Sequence, residues 1–278
     1  MHKTWFITGT SSGFGFTLTE LLLERGDRVA ATLRKPAAID GLKSAYGDSL
    51  WVEELDISDT QAVRRVVDRA FADLGRIDVV VNNAGYGLAG AAEEVSDEQI
   101  RQIIDTNLIG SIQVTRAALP HLRAQGGGRI LQLSSMGGQI VFPGLSLYHT
   151  TKWAIEGFFE SVALELAPFN IGVTLVEPGS ARTNFFGGSS LVVAPQLAPY
   201  AENPASSLRR RSAAGEVATP GDPRKMAQAM IDSVDRNPAP KRLTLGSDAY
   251  RLVSAALSDR LAALEAQKDI ALSTDFTG

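Results

Sequence analysis

The chain contains no cysteine. That excludes disulfides, a thiol nucleophile and any zinc–thiolate centre, and it fits a reducing compartment. Histidine is nearly as scarce: His2, His121 and His149 stand far apart, so no metal site is expected. No apolar run approaches the roughly 18 residues that span a membrane as a helix. Neither sign of charge dominates. A net charge of −4 argues against nucleic acid or an anionic membrane as the main partner. An apolar run, Trp5-Phe6-Ile7, comes so early that a secretory leader has no room, and the expected location is cytoplasmic. What is present is ordinary for a globular protein: 278 residues, 44% hydrophobic and 21% charged. That length suits one large α/β domain better than two small ones.

The first apolar run leads into Thr8-Gly9-Thr10-Ser11-Ser12-Gly13-Phe14-Gly15, and then into a helical pattern of Phe14, Leu18, Leu21 and Leu22. Strand, glycine turn and helix form the context of a dinucleotide-binding turn. Gly9 can take a tight turn closed to residues with a Cβ. Gly13 leaves room for a pyrophosphate, and Gly15 lets the helix pack close to the strand. The helix N-terminus offers free N–H groups and partial positive charge to phosphates.

A second apolar run, Val29 to Leu33, suits a buried parallel strand. Where a carboxylate would bind the ribose 2′-hydroxyl of NAD, Thr32 and Leu33 are followed by Arg34 and Lys35. A guanidinium suits the 2′-phosphate of NADP, so NADP(H) is expected over NAD(H). Leu50 to Leu55 is a third strand. After it, Asp56 could accept from the adenine amino group and Ile57 could pack on the ring. Ser58-Asp59-Thr60-Gln61 and Ser96-Asp97-Glu98-Gln99 both read as capping boxes.

Ile77 to Val81 forms a fourth strand, ending in Asn82-Asn83-Ala84-Gly85, where small residues admit something flat. A long helix follows, with Ile100, Ile103, Ile104 and Leu108 on one face. Asn107 sits in its middle, where its side chain competes for backbone hydrogen bonds and can bend the helix and hold a water. Arg129 to Leu133 is a fifth strand, with Ser134-Ser135 at its end. Tyr148 and Lys152 share one face of the next helix. Ile171 to Val176 is a sixth strand, ended by Glu177-Pro178-Gly179 and, four residues on, Thr183.

From Phe185 to Pro223 the periodicity fails. Prolines stand at 195, 199, 204, 220 and 223, and the run Arg209-Arg210-Arg211 reads as solvated. A stretch of this kind and length is usually a lid, a binding loop or disordered. Met226 to Val234 is helical again, Arg242 to Leu245 is a short strand, and Tyr250 to Ala266 is amphipathic through Leu252, Val253, Leu257, Leu261 and Leu264.

Five separated motifs together resemble the short-chain dehydrogenase/reductase family: Thr8 to Gly15, Asn82 to Gly85, Asn107, Ser135 before Tyr148-x3-Lys152, and Pro178-Gly179. The likeness covers residues 4 to 184, and more loosely to about 246. Ser135 stands thirteen positions before Tyr148, the usual family gap, which favours it over Ser134. The phrase Val29 to Arg34 and the long C-terminal tail look most like the 17β-hydroxysteroid and retinol dehydrogenase branch. Two departures stand out. His149-Thr150-Thr151 replaces the commoner small residues between Tyr and Lys, and Ser12 replaces a basic residue before Gly13. His149 has no expected catalytic role, and the NADP preference rests on Arg34 and Lys35.

The resemblance implies a single α/β domain over residues 1–278. Its Rossmann-type, doubly wound parallel sheet has seven strands in the order 3-2-1-4-5-6-7, with helices on both faces. Residues 185–223 become a substrate lid and 247–278 a C-terminal helical extension. The cofactor residues implied are Gly9, Ser11, Ser12, Gly13, Phe14, Gly15, Arg34, Asp56, Ile57, Asn83, Ala84, Gly85, Tyr148, Lys152, Pro178, Gly179 and Thr183. The chemistry implied is alcohol–carbonyl interconversion. Tyr148 is the general acid/base and Lys152 favours its phenolate while binding the nicotinamide ribose. Ser135 polarises the substrate oxygen, and Asn107 holds a relay water. Ser135, Tyr148, Phe142, Pro143 and Phe185 are the candidate pocket for an apolar carbonyl or alcohol substrate. A homodimer or homotetramer is expected. Two rivals remain: a catalytically silent NADP(H)-binding sensor or scaffold, and an epimerase or dehydratase on the same fold.

Overall fold

Runs of apolar residues with no alternation need cover on both faces, and the first strand, Thr4–Thr8, is buried at every position. The computed structural model describes residues 2–185 and 190–276. Its main sheet comprises β1 (Thr4–Thr8), β2 (Arg28–Leu33), β3 (Leu50–Glu54), β4 (Val79–Asn82), β5 (Gly128–Leu133), β6 (Ile171–Pro178) and β7 (Arg242–Leu245). These seven strands pair in the order 3-2-1-4-5-6-7, as the resemblance implied, and every pairing is parallel.

The helices are α1 (Gly13–Glu24), α2 (Asp40–Tyr46), α3 (Thr60–Leu74), α4 (Asp97–Ile104), α5 (Ser111–Ala124), α6 (Ser146–Leu166), α7 (Ser207–Ala213), α8 (Pro223–Ser233), α9 (Ser247–Glu265) and α10 (Lys268–Ser273). Alternate residues of each strand serve opposite layers. Phe6, Val80 and Ile130 pack against Val67 of α3, Val114 of α5 and Phe159 of α6. Trp5, Ile7, Val81 and Leu131 pack against Leu18 and Leu22 of α1 and Met230 of α8. Strand order reverses beside β1, so β1 and β4 part company at their carboxyl ends. That is where an open α/β sheet leaves a crevice for a ligand.

Four features differ from the sequence reading. Asp59, not Ser58, caps α3: its carboxylate accepts from the Gln61 and Ala62 N–H groups. Ser58 turns instead to Asp56. The long helix around Asn107 is divided, with a π turn at Asp105–Gly110 between α4 and α5. The third difference lies in the stretch read as without structure. A short strand, Leu191–Val193, pairs in parallel with Gly87–Ala89, and α7 carries the arginine run. Residues 186–189 of that stretch lie outside the described residues, as do 1, 277 and 278. Finally, α9 leaves the sheet after its first turns, so Val253 is buried whereas Leu257, Leu261 and Leu264 are exposed. Among the described residues, no helix is long and apolar enough to cross a membrane.

Candidate active site

The turn after β1 is drawn tight from two sides. Gly9 has φ +73°, and its N–H donates to the Thr32 carbonyl at 2.8 Å. Asn83, at the end of β4, donates through Nδ2 to the carbonyls of Thr8 (2.8 Å) and Gly9 (3.0 Å). Thr8 Oγ1 in turn accepts from the N–H groups of Asn83 and Ala84. Both donors of the Asn83 amide are thereby spent, so this side chain shapes the turn. The opposite side is open. Apart from the adjoining residues and the helix's own backbone, no described atom lies within 4 Å of where a Cβ on Gly13 would stand, and Ser12 makes no side-chain cap on α1. Uncapped N–H groups at a helix start, beside an open glycine backbone, fit a phosphate.

Around this cradle, Arg34 lies exposed immediately after β2. Asp56 holds the Ser58 N–H and hydroxyl on one oxygen, Oδ1. Ile57 is buried, its side chain against Gly110 of the π turn. Only its edge is left for an adenine ring.

At the carboxyl ends of β4 and β5 four polar side chains converge. Asn107 is buried. Its Oδ1 accepts from the Tyr86 N–H (2.9 Å), and its Nδ2 donates to the Tyr86 carbonyl (2.8 Å) and to Thr151 Oγ1 (3.2 Å). Lys152 is also buried. Its Nζ donates to the Leu133 carbonyl at 2.9 Å and lies 5.8 Å from the centre of the Tyr148 ring. Burial lowers its pKa to about 8, against the opposing pull of Glu156. Burial raises the Tyr148 hydroxyl, and its hydrogen bond with Ser135 opposes that rise. Ser135 Oγ accepts from the Gly137 N–H at 3.0 Å. Ser134 turns the other way: its Oγ and a Glu156 oxygen both crowd the vacant Cβ position of Gly138.

A strand-turn-helix cradle and a Ser–Tyr–Lys group thus share one end of the sheet. The family model described as short chain dehydrogenase matches residues 3–190. This chain is a short-chain dehydrogenase/reductase. It is 38% identical to Oxidoreductase BOA17 of Botryotinia fuckeliana, over 99% of this chain and all of that protein. It is 34% identical to a 3-ketodihydrosphingosine reductase of Bacteroides thetaiotaomicron, over 86% of each. A solved short-chain dehydrogenase from Streptomyces avermitilis matches with a TM-score of 0.92 and 38% identity, covering 99% of this chain and 100% of that one.

Of the pocket candidates of this dehydrogenase, Phe185 comes closest to the centre, its ring 6.0 Å from that of Tyr148. Phe142 and Pro143 are exposed on the loop before α6. That loop is held by His149, which the sequence left without a role. His149 Nε2 accepts from the Phe142 N–H (2.9 Å), and Nδ1 lies 2.8 Å from the Gly137 carbonyl. Burial keeps its pKa below the ordinary value, with the Gly137 contact opposing. A neutral ring donating at Nδ1 satisfies both partners.

Beyond β6, Gly179 donates its N–H to Leu245 at 2.7 Å, and the Thr183 N–H bonds Ala181 at 2.8 Å. Asp248, in the first turn of α9, fastens this loop by accepting the Ser180 N–H at 2.8 Å. Arg242 on β7 bonds Glu156 and Glu177 at 2.8 Å each, and also Glu160. Gln139 bridges the first two carboxylates, tying the Ser135 loop to α6 and β6. Tyr86, Asp248 and Arg242 were missed in the sequence because each acts through contacts far along the chain. The signal for Tyr86 was its place directly after Asn82 to Gly85. Among the described residues, no group of three or more acidic, histidine or cysteine side chains is placed to hold a metal.

Proposed function

We propose that this oxidoreductase reduces a ketone or aldehyde with NADPH, or runs the reverse reaction. The observation that carries the reading is the Ser135–Tyr148–Lys152 group, its lysine buried, at the same sheet end as the uncapped glycine turn. The turn residues Gly9 to Gly15 would hold the pyrophosphate, and Arg34 the 2′-phosphate. Asp56 would take the adenine, Ala84 and Gly85 the ribose region, and Pro178, Gly179 and Thr183 the nicotinamide end. When bound, the cofactor supplies or accepts the hydride.

The chain's own residues handle the proton and the orientation. A phenol held above its ordinary pKa stays protonated near neutrality, so Tyr148 is set to donate to a carbonyl oxygen that gains negative charge. Ser135 holds the same oxygen by hydrogen bond. Lys152 carries the positive charge beneath the tyrosine and binds the ribose hydroxyls. Asn107 has spent both amide donors, so a relay water would donate to one of its oxygens. The name of the Bacteroides thetaiotaomicron relative, a ketone reductase, supports the direction. The exposed face of α6 around Gly157, where an added Cβ would meet nothing, suits contact with a second copy, in keeping with a homodimer or homotetramer in the cytoplasm.

The test is turnover across a panel of ketones and aldehydes with NADPH and NADH in parallel. NADPH is expected to be preferred. Arg34→Ala should weaken NADPH binding about ten- to hundredfold, as loss of a hydrogen bond to a charged group implies, and barely change NADH binding. Equal loss for both cofactors would remove Arg34 from the 2′-phosphate role.

A pH dependence follows from Lys152. Its charge is present below about pH 8 and lost above it. The kcat/KM for reduction, which reports groups of the free enzyme, is therefore expected to fall as pH rises through that value. In Lys152→Arg, which stays charged, the fall should move to higher pH whatever the level of activity that remains. A profile unchanged between the two proteins would contradict the assignment.

A further inference from the structure

Helix α9 begins inside the fold and ends outside it. Ala249 and Val253 are buried, but every residue from Leu257 to Phe276 is exposed. The exposed turns are not polar. At 3.6 residues per turn, Tyr250, Leu257, Leu261 and Leu264 fall on one stripe, and they are between 50% and 74% exposed. That stripe is about 21 Å long at the helical rise of 1.5 Å per residue. Its direction is held from the other side of the helix, where Arg260 lies 5.0 Å over the Trp153 ring of α6 and donates to Gln139 Oε1 at 3.3 Å. So short a helical segment is marginal in water without packing, and contiguous exposed apolar side chains mark an interaction face.

The charges say what covers it. From Leu257 to Phe276 the carboxylates Asp259, Glu265, Asp269 and Asp275 outnumber the cations Arg260 and Lys268. Helices that lie on a membrane carry a cation-rich polar face, so a lipid surface is a poor match. The stripe is instead complementary to itself. With two copies antiparallel and Leu257 against Leu257 at the centre, Tyr250 of each meets Leu264 of the other, and Leu261 enters the gap beside Ser254. The same register brings Arg251 on the rim to within about 3 Å of helical rise of the second copy's Glu265, and two-fold symmetry repeats the pair. A parallel pairing would hold those two residues about 21 Å apart. Among the described residues, neither Arg251 nor Glu265 has an ion pair or side-chain hydrogen bond within its own chain.

We infer that α9 is an interface between two copies of this chain, paired antiparallel about Leu257. Tyr250, Leu257, Leu261 and Leu264 form the seam, and Arg251–Glu265 pairs close its rim. The occupant is a second copy because one stripe supplies both halves of the contact, as a two-fold interface requires. This goes beyond the homodimer or homotetramer proposed above by naming the helix and the sense of its pairing. It does not depend on the chemistry at Tyr148 or on the α6 face around Gly157.

Sedimentation velocity of the full chain across the micromolar range reads the assembly. The parent should sediment as a dimer or tetramer. Leu257→Glu with Leu261→Glu should cut that mass to half or less. The dissociation constant should rise more than about a hundredfold, since one buried leucine is worth about ten- to hundredfold. Both positions are exposed within the chain, so circular dichroism should show the variant folded. Arg251→Glu alone and Glu265→Arg alone should each weaken assembly about three- to thirtyfold by placing like charges on the rim. The two reversals together should restore it, which an apolar face without this register would not do. A monomeric parent, a leucine variant of unchanged mass, or single reversals without effect would overturn the inference. So would a double reversal no better than either single one, or capture of the parent by phospholipid vesicles, anionic or zwitterionic, in place of self-association. Turnover is followed beside each. Assembly that obeys the charge pattern without turnover of any carbonyl compound would count against the reductase reading alone, and turnover by a monomeric parent against this inference alone.

Discussion

Tyr148→Phe is expected to lower kcat by about 10² to 10⁴, the usual worth of a positioned acid or base, while NADPH still binds. The ring packs against Phe185 at 6.0 Å and against His149 at 5.8 Å, and both contacts survive loss of the hydroxyl. Ser135 loses its hydrogen bond to the Tyr148 oxygen, but it is only partly buried and its Oγ still accepts the Gly137 N–H at 3.0 Å. The variant should therefore fold normally and lose only the proton that the reacting oxygen requires. Fluorescence titration with NADPH should match the parent within a few-fold. Activity equal to the parent would remove Tyr148 from the chemistry. Loss of activity together with loss of folding would leave the tyrosine merely structural.

The second large effect is expected at Gly15, through geometry rather than chemistry. A Cβ there would stand 2.3 Å from the Gly9 carbonyl oxygen and 2.4 Å from Asn83 Nδ2. These two atoms hydrogen-bond each other at 3.0 Å to close the cofactor turn. One of them is backbone, so it cannot swing aside as a side-chain tip would. Gly15→Ala must open that bond or push α1 off β1, and overpacking of this kind costs about 1–3 kcal/mol. NADPH affinity should fall about five- to hundredfold, with 1.4 kcal/mol to each factor of ten, and the melting temperature should fall with it. Gly41→Ala in α2 is the control. Beyond the adjoining residues and its own helix backbone, no described atom lies within 4 Å of its Cβ position, and alanine is the better helix former, so stability there should hold or rise. Parallel behaviour of the two variants would show that the close approach at Gly15 is not what keeps it glycine.

How legible the molecule is in its sequence follows from the range of its contacts. The seven strands are readable because parallel strands buried on both faces form apolar runs, and β1 shows that at every position. The candidate site is readable where spacing fixes geometry: Tyr148 and Lys152 share a helical face, and the glycine turn follows a strand. Asp59 in place of Ser58 is a local contest between adjacent capping residues, won by a carboxylate that takes two N–H groups. The stretch after Thr183 is opaque for another reason. Its strand has three residues and its helix seven, too few for a periodic pattern. The burial of Arg209 depends on Glu94, 115 positions away. Asp248 acts on Ser180 from 68 positions away. Asn107 lies between the two cases: its unsuitability inside a helix is visible, but the Tyr86 backbone that it holds is not.

The most direct test of the central claim is a turnover with NADPH deuterated at C4 of the nicotinamide, using the ketone or aldehyde that the panel shows to be best. Tyr148-assisted hydride transfer predicts one deuterium on the carbinol carbon of the product for each cofactor oxidised, with both slowed together by about 10² to 10⁴ in Tyr148→Phe. Product formed without net oxidation of the cofactor would place the protein with epimerases or dehydratases. Tight NADPH binding with no turnover of any carbonyl compound would contradict the reductase reading and favour a sensor.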